Sequence, residues 1–406
     1  MNIILEIEDL GKLKMNNMDK KMMINNHSHL INHLDENKKK NFKNRFLISV
    51  FVVIFYLIIF VLSFLADKSL SDWINPNFIK YELRGIFAFA FCIVLYIPFF
   101  FCVRESLRLV FLRHEKIPIY LMHLFSSLLY MLPSILLIVR TYYVNEPDTD
   151  VKEKISLIVL YLIYWSIFFC SIIIVILSVV FLKKYNRLNF QNGFTIPFLT
   201  ILVSLGFMGF AITGLMSGWT TILFLSISIA GTDVFCYLSG LLFGKHKMAK
   251  NISPNKTWEG AILGTILTIG VLLVYSSLLL LDNSKISITH DEQQYDLDRS
   301  TFLLWNIIQF QTQSTDPTNP QLWIILFFIA SFMVVVSILG DLLFSYIKRK
   351  YQIKDFGTTL KSHGGFLDRF DSFIVNSFCY FFYTFTALGI YAMSRNLNIL
   401  FGPTSF

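Results

Sequence analysis

Apolar residues in this chain run on in long unbroken stretches; they neither alternate as in a half-buried strand nor recur at helical spacing around a polar face. A helix rises about 1.5 Å per residue and a bilayer's hydrocarbon core is about 30 Å thick, so about 20 apolar residues suffice to span it. Nine stretches reach that length, over 46–65, 85–103, 117–138, 155–182, 194–216, 219–242, 260–281, 322–344 and 373–393. The pattern predicts an all-α polytopic membrane protein with nine transmembrane helices. The separation of the fifth from the sixth rests on the Ser217-Gly218 break alone. Pro133 and Pro197 fall inside two of the stretches, which membrane helices tolerate when neighbours satisfy the freed carbonyl.

The polar connections carry the next layer of information. With the N-terminus in the cytoplasm, the inner segments (1–45, 104–116, 183–193, 243–259 and 345–372) hold 26 Lys and Arg, and the outer ones hold 9. That asymmetry is the positive-inside bias, and it predicts an inner N-terminus and an outer C-terminus. Trp73, Trp219, Trp305 and Trp323 lie at or near outer boundaries, where an aromatic belt would stand. The apolar run 301–310 is too short to span and suits a helix lying along the outer interface.

The chain divides into a basic tail (1–45), N-terminal helices (46–216), a second helical region (217–393) holding the inner loops 243–259 and 345–372, and a short C-terminal tail (394–406). The first tail carries Lys38-Lys39-Lys40 and Arg45 directly before the first stretch, a juxtamembrane cluster that attracts anionic lipid. It has no secretory h-region or cleavage site, and His27, His29 and His33 lie in a segment without periodicity.

Composition agrees with this partition. Of 406 residues, 55% are hydrophobic and only 15% charged, against about 25% in soluble domains. Mean hydropathy is +0.59. These values exclude a disordered chain, a disulfide-rich secreted module and, despite a net charge of +8, a water-exposed nucleic-acid binder. The five cysteines all fall in apolar stretches with no CxxC, which indicates neither a disulfide framework nor zinc. No paired interrupted helices of the transporter kind recur along the chain.

Ionisable residues within spanning stretches are costly and mark function. Asp233 follows Gly231-Thr232 in the sixth stretch and Asp341 follows Gly340 in the eighth; each leads into a polar inner loop. The first loop runs Gly244-Lys-His-Lys-Met-Ala-Lys250 and then Asn251-Ile-Ser-Pro-Asn-Lys-Thr-Trp-Glu-Gly260. Its lysines, with Ser253, Lys256 and Thr257 at the start of the seventh helix, suit an anion, although for Lys245 and Lys247 ordinary loop charge is an equal account. The second holds Ser345, Lys348, Arg349, Asp355, His363, Gly364, Gly365, Asp368, Arg369 and Asp371. Asp368 and Asp371 would share a face if helical. Carboxylates so concentrated suit Mg²⁺, and the neighbouring cations suit phosphate.

The string Ser345-x-x-Lys348-Arg349-x4-Lys354-Asp355-x-Gly357, continuing through His363-Gly364-Gly365-x-x-Asp368-Arg369-x-Asp371-Ser372, closely resembles the signature of the CTP:phosphatidate cytidylyltransferase (CDP-diacylglycerol synthase) family. Ile252-Ser-Pro-x-Lys256-Thr-x-Glu259-Gly260, with Asp233 before it, resembles that family's second motif. Two positions depart from the family pattern: Lys361-Ser362 stand where Pro-Gly is usual, and Phe344 where Glu is usual. The resemblance implies condensation of CTP with phosphatidic acid to CDP-diacylglycerol and pyrophosphate. The abundance of Lys, Asn and Phe over Trp favours a bacterial plasma membrane over a eukaryotic endomembrane, and the Lys and Arg asymmetry puts both loops on the cytoplasmic side. The resemblance also implies Asp341 and Asp368 as Mg²⁺ ligands, with Asp371 and Asp233 as further ligands or orienting groups and K⁺ as a candidate second cation. Ser253, Lys256 and Thr257 would contact CTP phosphates, with Ser345 nearby. Lys348, Arg349 and Arg369 would hold the lipid phosphate or pyrophosphate, and His363 with Gly364-Gly365 would shape a phosphate-approaching turn. Partners are then CTP, phosphatidic acid and membrane lipid, without nucleic acid; a homodimer is compatible with all of these. The alternatives are a CTP-dependent polyprenol or lipid kinase, and a cation transporter using Asp233 and Asp341.

Overall fold

The apolar stretches fold as helices. The computed structural model describes residues 54–66, 81–112, 114–143, 149–281, 287–290, 293–296, 320–360 and 364–401. The basic tail 1–45, the run 301–310, Trp73, Trp305 and His363 lie outside the described residues, as do Lys361 and Ser362. The chain divides after Phe55, and residues 56–406 form one compact unit.

In chain order the helices are α1 (Ile54–Ala66), α2 (Tyr81–Leu107), α3 (Lys116–Tyr143), α4 (Thr149–Lys184) and α5 (Phe190–Ser226). A π turn (Ile227–Gly231) follows, then α6 (Thr232–Phe243), α7 (Trp258–Leu281), α8 (Pro320–Lys350) and α9 (Asp371–Phe401). Two short antiparallel hairpins interrupt them, β1 (Lys247–Ala249) with β2 (Ser253–Thr257), and β3 (Ser287–His290) with β4 (Gln293–Asp296). The class is all-α and polytopic. Among the described residues, seven helical segments are long and apolar enough to cross a membrane, where the sequence pattern suggests nine. The first stretch is described as a helix only over Ile54–Ala66, too short to be counted.

The expected break at Ser217-Gly218 is real but mild. Gly218 has φ 69°, a left-handed conformation that an L side chain rarely adopts, and the helix resumes directly after it. The π turn then widens the same span just before Asp233. Such turns leave carbonyls out of the regular ladder and recur at functional sites.

Helix α5 is the centre of the bundle. Over Phe190–Met216, 78% of its apolar span is buried, against 22–44% in the other spans. It packs against α2, α3, α4 and α9. Close approach to α9 depends on Gly206, where a Cβ would lie 2.5 Å from the Ile374 carbonyl oxygen. In lipid, where burial of apolar surface drives little helix association, such backbone proximity supplies the dispersion contacts. Asn376 on α9 donates its amide to Ser228 Oγ (3.0 Å) and to the Met333 carbonyl (2.8 Å), tying α9 to the π turn and to α8.

The described parts of the connections 104–116, 183–193, 243–259 and 345–372 meet at one end of the bundle. Arg187 pairs with Glu115 at 2.7 Å and also donates to the Val110 carbonyl. Tyr351 donates its hydroxyl to Asn192 Oδ1 at 2.9 Å, and Arg349 Nε donates to the Ile252 carbonyl at 3.2 Å. Four of the five segments expected to be inner therefore share one surface among the described residues.

Candidate active site

The first motif loop is a hairpin, where the sequence suggests a turn and a helix start. β1 and β2 pair Lys247 with Thr257 and Ala249 with Ser253. The Glu259 carboxylate accepts from the Lys245 and His246 N–H groups (3.1 Å each), holding the hairpin against the start of α7. Thr257 is buried and its hydroxyl accepts from the Gly260 N–H at 3.2 Å, the ordinary N-cap arrangement. Its side chain is engaged there, while Ser253 stands at the strand's start and Lys256 reaches across to α8.

Lys256 Nζ lies 2.6 Å from Asp341 Oδ2, and the Ser345 hydroxyl donates to Asp341 Oδ1 at 3.3 Å. Both members of the pair keep about a quarter of their side-chain surface open. Asp233 faces the same place and lies within electrostatic range of Asp341 and Lys256. Asp371 joins them from the start of α9, with its Oδ1 accepting from the Ser372 N–H at 2.8 Å. Burial, then the charge of Asp341, pushes the Asp371 carboxyl well above the usual carboxylate range, and Lys348 pulls the other way.

Asp368 is held differently. Its Oδ1 meets Lys348 Nζ at 2.9 Å, and its Oδ2 accepts from the Phe356 and Gly365 N–H groups, each at 2.9 Å. Only 4% of its side chain is exposed. The expected shared helical face of Asp368 and Asp371 does not form, because Asp368 sits in the turn before α9 and only Asp371 is helical. Gly364 has φ +79°, and a Cβ there would lie 2.9 Å from Asp368 Oδ2, so the turn requires glycine. Lys348 also stands 5.6 Å from the Phe356 ring centroid. Arg349, Arg369 and Asp355 are on the exposed side of the loop.

Among the described residues, no three acidic, histidine or cysteine side chains stand close enough to form a complete metal cage. Mg²⁺ does not require one, since it is commonly held by one or two carboxylates, water and substrate phosphates. Asp341 suits that use, being partly open and balanced by a lysine that can move away. Asp371 suits it too, because a cation would relieve the carboxylate crowding around it. Asp368 has both oxygens engaged and fits less directly.

The profile of the cytidylyltransferase family matches residues 82–387, three quarters of the chain. The chain belongs to the cytidylyltransferase family. Individual relatives agree. It is 37% identical over 233 residues to a putative phosphatidate cytidylyltransferase of Mycoplasma pneumoniae, covering 52% of this chain and 55% of that protein. It is 34% identical over 153 residues to the phosphatidate cytidylyltransferase of Rickettsia typhi (38% and 53% covered). It is 32% identical over 200 residues to that of Staphylococcus haemolyticus (49% and 62% covered). The chain thus spans little more than half the length of the curated relatives it matches. The family match takes in both motif loops and α2 through α9 up to residue 387.

One residue against the motif loop escaped sequence reasoning. Glu105, at the C-terminal end of α2 and outside both motifs, is buried against Gly357, Thr359, Gly365 and Leu367. Its signal was present as an acid continuing an apolar run (Phe101-Cys102-Val103-Arg104-Glu105), but only the basic residues of that segment were informative for topology.

Proposed function

We propose that this protein is a phosphatidate cytidylyltransferase, condensing CTP with phosphatidic acid to give CDP-diacylglycerol and pyrophosphate. The observation that carries the reading is the convergence of Asp233, Asp341 and Asp371 with Lys256 and Lys348 at one end of an apolar bundle. Membership of the cytidylyltransferase family supports reading that convergence as a nucleotidyltransferase site in preference to an ion path.

A phosphate oxygen of phosphatidic acid attacks the α-phosphorus of CTP; the new P–O bond forms as the bond to pyrophosphate breaks. The nucleophile is already anionic, so no general base is needed. Catalysis reduces to alignment and to neutralising charge on the phosphates. Lys256 takes CTP phosphate by exchanging Asp341 for it, with Ser253 beside it. Lys348, fixed by Asp368, faces the phosphates from the α8 side, and Arg349 and Arg369 stand where the lipid phosphate or the leaving pyrophosphate would pass. Asp341 and Asp371 would hold Mg²⁺, with Asp233 orienting Lys256 and Asp368 holding the loop. When bound, Mg²⁺ supplies a positive charge shared between carboxylates and phosphate oxygens. The loops face the cytoplasm, where CTP is dissolved, and the lipid's phosphate meets them at the interface. A bacterial plasma membrane as the host is supported by the bacterial relatives.

The test supplies the purified protein with labelled CTP, phosphatidic acid and Mg²⁺. CDP-diacylglycerol and pyrophosphate are expected. In a parallel reaction given diacylglycerol in place of phosphatidic acid, CDP with newly formed phosphatidic acid would instead establish a kinase, and ion flux without turnover a transporter.

A further inference from the structure

Residues 355–360 and 364–367 lie at one end of the bundle outside any regular helix or strand, so their backbone N–H groups need partners elsewhere. Two of these groups go to Asp368. Another goes to Glu105, which is 2% exposed. Glu105 Oε1 accepts from the Thr359 hydroxyl at 2.5 Å and Oε2 from the Leu367 N–H at 2.9 Å. The Phe366 N–H is directed at the same carboxylate. One helical turn earlier, Phe101 stacks on Phe366 with ring centroids 4.7 Å apart.

The loop is shaped to that carboxylate. A Cβ at Gly365 would lie 2.2 Å from Glu105 Oε2, and one at Gly357 would lie 2.5 Å from Oε1. Gly365 is therefore gripped from both sides, its N–H by Asp368 and its Cα by Glu105. Packing does not do this work for residues 355–359, which border a cavity of about 620 Å³ shared with Arg104, Arg108 and Phe111. A carboxylate accepting backbone N–H bonds is among the stronger and more directional of polar contacts.

We infer that Glu105 is a positioning residue for the reaction: it touches no reacting group but sets where Asp368, and through it Lys348, stand. The inference rests on the proposed cytidylyltransferase activity. It separates Glu105 from an anchor that merely holds α2 in place, because it predicts a loss in turnover with folding intact.

The experiment measures CDP-diacylglycerol formation by the full chain in lipid nanodiscs, with CTP varied, alongside the thermal unfolding midpoint. Glu105→Ala is expected to lower kcat by about 100-fold, the effect of a misplacement on the order of 1 Å. Its KM for CTP should stay within about threefold, as for a group acting on the transition state alone. Glu105→Gln should retain most turnover, because the amide oxygen can accept from Leu367 while its NH₂ donates to a turned Thr359 hydroxyl. Adding Thr359→Val removes that acceptor, so the double variant should lose more than the product of the two single losses. If Glu105→Ala does not fold, Thr359→Val alone decides. A kcat lowered about three- to tenfold at an unchanged midpoint supports the inference, since it is the size of one lost hydrogen bond, and an unchanged kcat overturns it. Wild-type kcat in Glu105→Ala, or a rise in KM alone, also overturns it. Failure of the wild-type protein to make CDP-diacylglycerol would instead overturn the functional reading itself.

Discussion

Two lysine–aspartate pairs stand close together in this site and are built for different tasks. Lys348–Asp368 is buried, with 13% and 4% of the side chains exposed, and Asp368 also receives two backbone N–H groups. Lys256–Asp341 is shorter but half-open, at 25% and 29% exposed, with one serine hydroxyl as its further partner. A buried pair is strongly destabilising to break from one side, because the remaining charge has no solvent. A partly exposed pair has water as a substitute and contributes little to stability. The first pair therefore holds the loop, and the second is the one that, under the proposed function, would exchange partners with phosphate or a metal ion. Similar distances thus conceal a scaffold and a working contact.

Substitutions can break this contrast. The largest effect is expected for Asp368→Ala, which leaves Lys348 and two loop N–H groups unpaired; it should cost about 3–5 kcal/mol and abolish turnover. The check is a paired measurement of unfolding midpoint and CDP-diacylglycerol formation, and a wild-type midpoint would end the scaffold assignment. Next comes Asp341→Ala, expected to lower kcat at least ~100-fold, the scale of a lost electrostatic contact in an active site. Its midpoint should stay near wild type; if the variant unfolds as Asp368→Ala does, the two pairs are not distinct.

Gly364→Ala should have an intermediate effect. A left-handed φ costs an L residue about 1–2 kcal/mol, and the added Cβ presses on Asp368 Oδ2. Turnover should fall about tenfold if that strain is relieved by moving the loop. Substrate titrations showing unchanged kcat would mean that the turn does not transmit to Asp368. The smallest change is expected for Lys256→Met, with stability altered by no more than about 1 kcal/mol. Here the informative readouts are opposed. The Mg²⁺ concentration for half-maximal activity should fall, because the ammonium no longer competes at Asp341, while KM for CTP should rise. Chelation of Mg²⁺ should silence the wild-type enzyme without lowering its midpoint, and parallel shifts of both constants would contradict the exchange idea.

The fold class was legible because lipid imposes one rule on every span: about 20 apolar residues with the backbone satisfied internally. The same rule hides detail. A run such as 219–242 carries no sign of the π turn at Ile227–Gly231, since its residues are as apolar as those around them. The sequence of the first motif loop suits a helix start, yet Ser253–Thr257 pair as a strand, because the partner at Lys247–Ala249 is fixed by Glu259 from outside the segment. The candidate residues stood out as a set, through the density of charge in two loops. Their division into Asp341 with Lys256 and Asp368 with Lys348 was not, because each pair joins residues 20 or more positions apart.

By itself the sequence determined the membrane class, the loops in which charge is concentrated, and the family resemblance that the profile over 82–387 bears out. These follow from composition and local order, which need no knowledge of neighbours. Tertiary structure alone decided which aspartate is saturated, which lysine is free to exchange, and that Glu105 grips the loop more than 250 positions away at Thr359 and Leu367. The physical reason is that the role of a charge depends on how many donors surround it and how much water reaches it. Both quantities exist only once distant segments have packed.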